Sequence, residues 1–346
     1  MLLDLTALPT ALIAAVFLAA AIAIGFAGTK LTGVAERLAS LTGLGQATMG
    51  AVFLGATTSL SGSITTGWAA GFGETDLAIS NAVGGIAVQT AYLAVADIVY
   101  RKANLEHAAA SLENLAYGAL LIALLAFVLC VMSAPEVTVL GIHPASLILV
   151  VGYVSGLRIV SHAGAERMWQ PRQTADTQTE ERFETDPVAK RATPRLWLVF
   201  AGLALVTAAC GFVVAETGVS LSERTGLSRT AVGALFTASV TSLPELVTAI
   251  AAVHRGALRL AVSDIIGGNS FDVLFLIVAD VIWLDGSIYH AFTNLHVYVV
   301  AVSMLMTGIL LLGLLRRERL GFGGIGFESA LILALYAVSV VVLIGV

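Results

Sequence analysis

Apolar runs of roughly 20 residues recur along this chain, separated by short polar stretches. Each is long enough to cross the hydrocarbon core of a bilayer as a helix. The pattern predicts ten spans, at about 9–28, 46–71, 76–100, 115–134, 142–161, 195–216, 229–254, 259–284, 295–315 and 325–346. The long hydrophilic interruption falls at 162–194, where mixed charge, Thr and Pro predict a loop or short disordered linker. It divides the chain into a first five-span half, 1–161, and a second, 195–346.

The two halves are related. Residues 42–97 and 225–280 align without a gap at an offset of 183, with 21 of 56 positions identical. Thr58-Ser59-Leu60 stays in register with Thr241-Ser242-Leu243, and Gly84-Gly85 with Gly267-Gly268. Shared apolar composition does not hold such polar and glycine positions in step. A duplicated apolar chain is the mark of a secondary transporter, whose site lies where the repeats meet.

Composition changes little in this picture, but charge orients it. Apolar residues make up 58%, charged residues 12%, and mean hydropathy is +0.93. Soluble domains carry about 25% charged residues. With no basic stripe and almost no soluble surface, nucleic acid is not an expected partner. The expected partners are inorganic cations and the lipid bilayer. Cys130 and Cys210 both fall in apolar runs and read as packing residues.

Of the 18 Lys and Arg residues, 16 fall on one side of the ten-span layout. They are Lys30, Arg37, Arg101, Lys102, seven from Arg158 to Arg195, Arg255, Arg259, Arg316, Arg317 and Arg319. Only Arg224 and Arg229 lie opposite. The positive-inside rule then puts the central loop in the cytoplasm and both termini outside. Asp4 is the sole charge before the first run, which predicts a retained span rather than a cleaved signal. Compact loops favour a prokaryotic plasma membrane. An odd number of spans per half makes the repeats enter from opposite faces, so they are inverted. The expected fold class is an all-α membrane protein, with ten transmembrane helices as two inverted five-helix repeats.

Chemistry concentrates in the second repeat. The seventh span holds Thr241-Ser242-Leu243-Pro244-Glu245, with a carboxylate well inside it. Such a group is costly and faces a cavity or a partner. Pro244 has no N–H, which frees the carbonyl of Val240. The eighth span holds Gly267-Gly268-Asn269-Ser270-Phe271-Asp272, with Asn269 and Asp272 three apart on one face. Carboxylate, hydroxyl and carbonyl oxygens suit Ca²⁺ or Na⁺ rather than a soft metal. A lone intramembrane acid also serves in helix packing. Two on adjacent spans, each beside polar neighbours and a helix breaker, argue for an ion site.

These motifs resemble the second α-repeat of the calcium/cation antiporter superfamily, which includes the sodium/calcium exchangers. The resemblance implies alternating access, moving Ca²⁺ or a related cation against Na⁺ or H⁺. It implies Glu245, Asp272, Thr241 and Ser242 as ion ligands, with Asn269 nearby. Thr58, Ser59 and Gln89 from the first repeat would complete an oxygen cage. No cofactor is expected, since the ions are cargo. One departure lies in the second repeat, where Gly268 replaces the usual Ser.

A larger departure lies in the first repeat. Gly62 stands opposite Glu245, Ser61 opposite Pro244, Gln89 opposite Asp272 and Ile86 opposite Asn269. The family places a glutamate in both repeats; this chain has none in the first. Two carboxylates would neutralise one divalent ion and leave little charge for additional Na⁺. A changed stoichiometry, coupling ion or cargo is therefore expected, with a monovalent or Mg²⁺ pathway, or a transport-inactive ion sensor, as the alternatives.

The remaining polar residues read as peripheral. Asp97 and Asp280, which match each other, fall near span ends and are expected to be solvated at the interface. Asp264 is expected to form a surface pair near Arg259. Glu74 and Asp76 are expected in an outer loop, attracting cations, and Glu36 and Glu216 near span ends. Trp68 reads as packing or an interface anchor. The six histidines are expected to be solvated or interfacial. No Walker, nucleophile-elbow or HExxH sequence is present, so the chain does not read as an enzyme.

Overall fold

A computed structural model describes residues 8–42, 55–100, 103–165, 194–319 and 325–345, together with Leu5, Phe53 and Gly321. The described regular structure is helical. The first half contributes α1 (Thr10–Thr42), α2 (Leu60–Gly71), α3 (Thr75–Val99), the short α4 (Leu105–Ala109), α5 (Leu112–Met132) and α6 (Pro144–Ala165). The second contributes α7 (Pro194–Thr225), α8 (Arg229–Thr241), α9 (Leu243–Arg255), α10 (Leu258–Asp272), α11 (Phe275–Ile282), α12 (Asn294–Arg316) and α13 (Phe327–Ile344).

Among the described residues, eight spans are long and apolar enough to cross a membrane, α10 and α11 counting as one. A ninth forms if α8 and α9 are taken as one broken span, bent by 46°. The expected span 46–71 lies partly outside the described residues; its described part ends in α2. Most of the expected loop 162–194 also lies outside them. The first and sixth expected spans are longer than predicted, because α1 continues through polar helix formers to Thr42 and α7 to Thr225. At 1.5 Å per residue each is about 50 Å long, more than a bilayer core needs.

The 183-residue offset reaches beyond the segment where sequence identity reveals it. Added to the bounds of α1, α2, α3, α5 and α6, it falls within a few residues of α7, α9, α10–α11, α12 and α13. Even the short α4 has its mate, a single 3-10 turn at Ile288–His290. Among the described residues, the helix bounds of both halves thus repeat at this offset.

The membrane solvent determines which helices are central. α1 and α7 pack side by side at the periphery and present Ile22, Phe26, Leu198 and Leu205 outward, as lipid-facing spans do. α3 is buried almost throughout, and α10 largely so. Glycine makes the central packing possible. A Cβ on Gly84 of α3 would come within 2.4 Å of the Ala234 Cα in α8. The two backbones therefore touch, beside a π-helical turn at Val232–Thr237.

Candidate cation site

The site is organised around two matching helix breaks. Ser242 separates α8 from α9 with φ −96° and ψ 8°; its mate Ser59 precedes α2 with φ −87° and ψ 14°. Each break turns hydroxyls toward the space between the repeats. A backbone carbonyl freed at the second break, that of Thr241, accepts a hydrogen bond from Ser61 Oγ at 3.0 Å. Ser61 occupies the place of Pro244, so one repeat caps the break in the other.

All eight residues expected at the site are buried, none more than 5% exposed. Ser59 Oγ donates to Asp272 Oδ1 at 2.7 Å, and Gln89 Nε2 donates to Asp272 Oδ2 at 2.6 Å. Gln89 Nε2 also reaches Ser242 Oγ at 3.1 Å. These contacts carry the repeat symmetry. Gln89 and Asp272 are mates that meet each other, while Ser59 and Ser242 each bond the acid or amide of the opposite repeat. A relation that exchanges the partners in this way is a two-fold.

Thr58 and Thr241 donate to the carbonyls of Gly55 and Ala238 in their own turns, at 3.1 and 3.2 Å. Using the hydroxyl hydrogen this way leaves the oxygen lone pairs available to a cation. Asn269 Nδ2 donates to Thr90 Oγ1 at 3.1 Å, which the sequence reading did not identify. Among the described residues, three buried oxygens then have no hydrogen-bond partner: Glu245 Oε2, Gln89 Oε1 and Asn269 Oδ1. Buried acceptors are normally satisfied. Three oxygens without a donor, close to a second carboxylate, form an environment suited to a hard cation. Among the described residues no group of three or more His, Cys, Asp or Glu is placed to hold a metal. The arrangement present is a carboxylate pair completed by hydroxyl and amide oxygens.

The place of the first-repeat acid is filled. A Cβ on Gly62 would lie 2.6 Å from Phe275 Cε2 and 3.1 Å from Cζ. The Phe275 ring packs over the backbone where a glutamate would stand. Its mate is Tyr92, whose hydroxyl donates to the Ser239 carbonyl at 3.0 Å and which lies within electrostatic reach of Glu245. Asn81 secures the same end of α2, donating to the Gly62 carbonyl at 3.2 Å and to Thr66 Oγ1 at 3.0 Å. Gly85 and Gly268 flank the centre, with their Cβ positions 3.4 Å from Asp272 Oδ2 and Gln89 Oε1. A Cβ at 268 would make ordinary contact with the amide oxygen that this chain uses.

Several peripheral expectations need correction. Asp97 and Asp280 are fully buried rather than interfacial, because each accepts backbone N–H groups from two connecting segments. Asp264 is half-buried and accepts from Thr248 Oγ1 at 3.3 Å, within electrostatic reach of Glu245 and Glu36. It therefore faces the space between α9 and α10 instead of a surface partner. Glu216 is buried because α7 runs two turns past the expected span end. Glu74 pairs with Arg229 at 2.8 Å, which removes it as a free attractor of cations. His296 is fully buried, near Ser80 Oγ at 2.9 Å and in the capping box of α12; His107 and His143 are buried too. Trp68 stacks on Phe72 as packing.

Comparisons with known proteins bear on the fold. Residues 195–345 match the family described as sodium/calcium exchanger protein. CaxA of Alkalimonas amylolytica, named as an antiporter, is 33% identical over 141 residues, 40% of this chain. That alignment spans 44% of the relative, less than half its length. The H⁺/Ca²⁺ exchanger CAX superposes with a TM-score of 0.68 at 12% identity, over 95% of this chain and 82% of that one. Native YfkE gives 0.62 at 19% identity, over 99% and 95%. The sodium-calcium exchanger NCX_Mj gives 0.57 at 17% identity, over 96% and 99%. At these identities the superpositions show a shared fold.

Proposed function

We propose that this chain, whose matches support the calcium/cation antiporter superfamily, is a secondary active antiporter that exchanges Ca²⁺ for Na⁺ or H⁺ by alternating access. The observation that carries the reading is the set of three unpartnered buried oxygens, on Glu245, Gln89 and Asn269, beside Asp272. Glu245 and Asp272 supply the charge that neutralises a divalent ion. Thr58, Ser59, Thr241, Ser242, Gln89 and Asn269 supply neutral oxygens. Burial makes bare carboxylates costly, so cargo and coupling ion must each neutralise them in turn. That requirement couples the two fluxes. The two-fold frame supports alternating access, since related halves can exchange environments across the membrane. The Lys and Arg asymmetry supports a cytoplasmic central loop with both termini outside, and the compact loops favour a prokaryotic inner membrane.

The Phe275 ring over Gly62 favours one alternative. With only two carboxylates, the centre has less charge than a site built for a divalent ion plus additional Na⁺, which suits a monovalent ion or Mg²⁺ as cargo. Radiolabelled Ca²⁺ uptake into proteoliposomes, under an imposed Na⁺ gradient and then a H⁺ gradient, separates the readings. Uptake driven by one gradient and lost in Glu245→Gln supports Ca²⁺ exchange and identifies the coupling ion. Folded protein with no uptake under either gradient would overturn it.

A further inference from the structure

A second group of acids lies away from this centre, at the C-terminal end of α3. Asp97 is eight residues beyond Gln89, about 12 Å along the helix. Its Oδ1 accepts the Leu105 N–H at 2.6 Å and its Oδ2 the Gly326 N–H at 3.1 Å. The mate Asp280 makes the related latch, accepting from the N–H groups of Ile288 at 3.3 Å and His143 at 2.9 Å, and from Ser146 Oγ at 2.6 Å. Leu105 and Ile288 are repeat mates, as are Gly326 and His143. One aspartate is thus sufficient to latch each end of the fold.

Among the described residues the Asp97 end adds two more buried acids, whereas Glu136 and Asp285 at the other end are exposed. Glu106 stands where the other end has Tyr289, and Glu328 where it has Ala145. Glu106 is 1% exposed and Glu328 is fully buried. Ser329 Oγ donates to Glu106 Oε1 at 3.0 Å, but among the described residues Glu106 Oε2 and both Glu328 oxygens have no hydrogen-bond partner. The Cβ position of Gly326 lies 3.3 Å from Glu106 Oε2 and 3.2 Å from Glu328 Oε1. Those two oxygens are therefore at most 6.5 Å apart, the sum of those distances. Gly313 makes room for the side chain, since a Cβ there would be 2.5 Å from Glu328 Cγ.

Among the described residues no cation hydrogen-bonds these oxygens, although Arg316 is within electrostatic reach of Glu328. Arg316 lies over the Phe327 ring and reaches Glu318 at 3.3 Å, and Arg317 donates to the His107 carbonyl. His107 Nδ1 is engaged with the Arg317 carbonyl at 2.6 Å. Two buried carboxylates with three unpartnered oxygens between them are expensive to keep dry, and the latch does not need them. Ca²⁺ binds oxygen at about 2.3–2.6 Å, so a modest side-chain rotation lets one ion bridge the pair.

We propose that Glu106 and Glu328 form a second cation site, taking a hard divalent ion of Ca²⁺ size, that clamps α4 to the start of α13. The site is distinct from the cargo site and would stabilise or regulate the fold at this end.

The test uses the full chain carrying Glu245→Gln and Asp272→Asn, which disables the cargo centre. Equilibrium binding of radiolabelled Ca²⁺ is measured in detergent at pH 9, where protons compete little. About one Ca²⁺ per chain is expected to remain, with affinity at least tenfold weaker after Glu106→Gln or Glu328→Gln. Gly326→Ala provides a block that keeps every charge, because its methyl occupies the point between the two carboxylates. The Gly326 backbone, φ −56° and ψ 142°, accepts alanine. Loss of binding in Gly326→Ala supports the site even if a glutamine variant misfolds. Absence of saturable binding in the folded starting variant, or unchanged binding in Gly326→Ala, overturns the proposal. Neither result depends on whether the cargo reading holds.

Discussion

Gly62→Ala isolates the contact that distinguishes the first repeat from the second. Gly62 lies inside α2, where alanine is normally the better helix former by about 0.8–1.0 kcal/mol. Propensity alone thus predicts stabilisation. The structure predicts the opposite, because the new Cβ would sit 2.6 Å from Phe275 Cε2. Phe275 is only 3% exposed and packs edge-on to Phe271, so the ring has little room to swing away. Overpacking of this kind costs about 1–3 kcal/mol. A clash with a confined ring belongs in the upper part of that range, leaving a net loss of about 1–2 kcal/mol.

The assay is the melting temperature of purified chain in detergent, without added divalent cation. Gly62→Ala is expected to lower it by on the order of 2–6 °C. Phe275→Leu in the same background should recover part of the loss, giving a coupling of about 1 kcal/mol. A Gly62→Ala chain that melts higher than the parent would refute the claim that Phe275 fills the acid's place. If the coupling holds, Gly62→Glu with Phe275→Ala is the variant that restores a third carboxylate, and its Ca²⁺ uptake should acquire a different Na⁺ dependence.

Other outcomes follow from the same geometry. Gly84→Ala should destabilise by at least 1–3 kcal/mol, because its Cβ meets the Ala234 backbone at 2.4 Å and no rotamer change relieves it. Gly33→Ala in α1, where among the described residues no atom beyond its own stretch of helix lies within 4 Å of the Cβ, should be neutral or raise the melting point. Ca²⁺ should stabilise the parent thermally, and Asp272→Asn should remove most of that gain; an undiminished shift would place the ligand elsewhere. Glu106 is pushed from 4.5 up to about 8, chiefly by burial and then by Asp97 and Glu328. The folded chain keeps this proton after the unfolded chain has lost it, so Glu106 makes stability fall as pH rises from about 4.5 to 8 and then level off. Glu106→Gln should flatten that part of the melting profile, and a slope unchanged by the substitution would contradict it.

The frame of the fold was legible in the sequence because membrane solvent writes it plainly. Runs of apolar residues locate helices, and the constant offset locates their mates. The offset was readable only over 56 positions, where polar and glycine residues fix the register. Beyond them lipid-facing apolar residues interchange freely, so identity fades while helix bounds persist. The motifs around Glu245 and Asp272 were legible for the same reason, since polar groups at that depth need partners. Burial at helix ends was not legible. Asp97 and Asp280 look interfacial by residue count, and only the return of Leu105, Gly326, Ile288 and His143 shows that each is enclosed. Phe275 was hidden for another reason. An aromatic residue in an apolar span gives no hint of which glycine it covers.

Gln89 marks a further asymmetry at the two-fold centre, beside Gly62 opposite Glu245 and Ile86 opposite Asn269. In a centre with an acid at both mates, two carboxylates would face each other across the axis and repel unless a cation or proton intervened. Here the amide of Gln89 donates to Asp272 at 2.6 Å and supplies that relief permanently. The same side chain turns its unpartnered Oε1 away as a neutral ligand. One residue thus holds Asp272 in place without a cation and still contributes an oxygen when one arrives. The consequence is specific. Gln89→Glu would add charge but place two acids against each other, so the resting centre should become less stable and its ion-induced stabilisation larger. Gln89→Ala would free Asp272 from its tether and lose a ligand, so both stability and ion response should fall. Opposite changes in ion response for these two substitutions at one position would separate a tether that also ligates from a residue that merely packs.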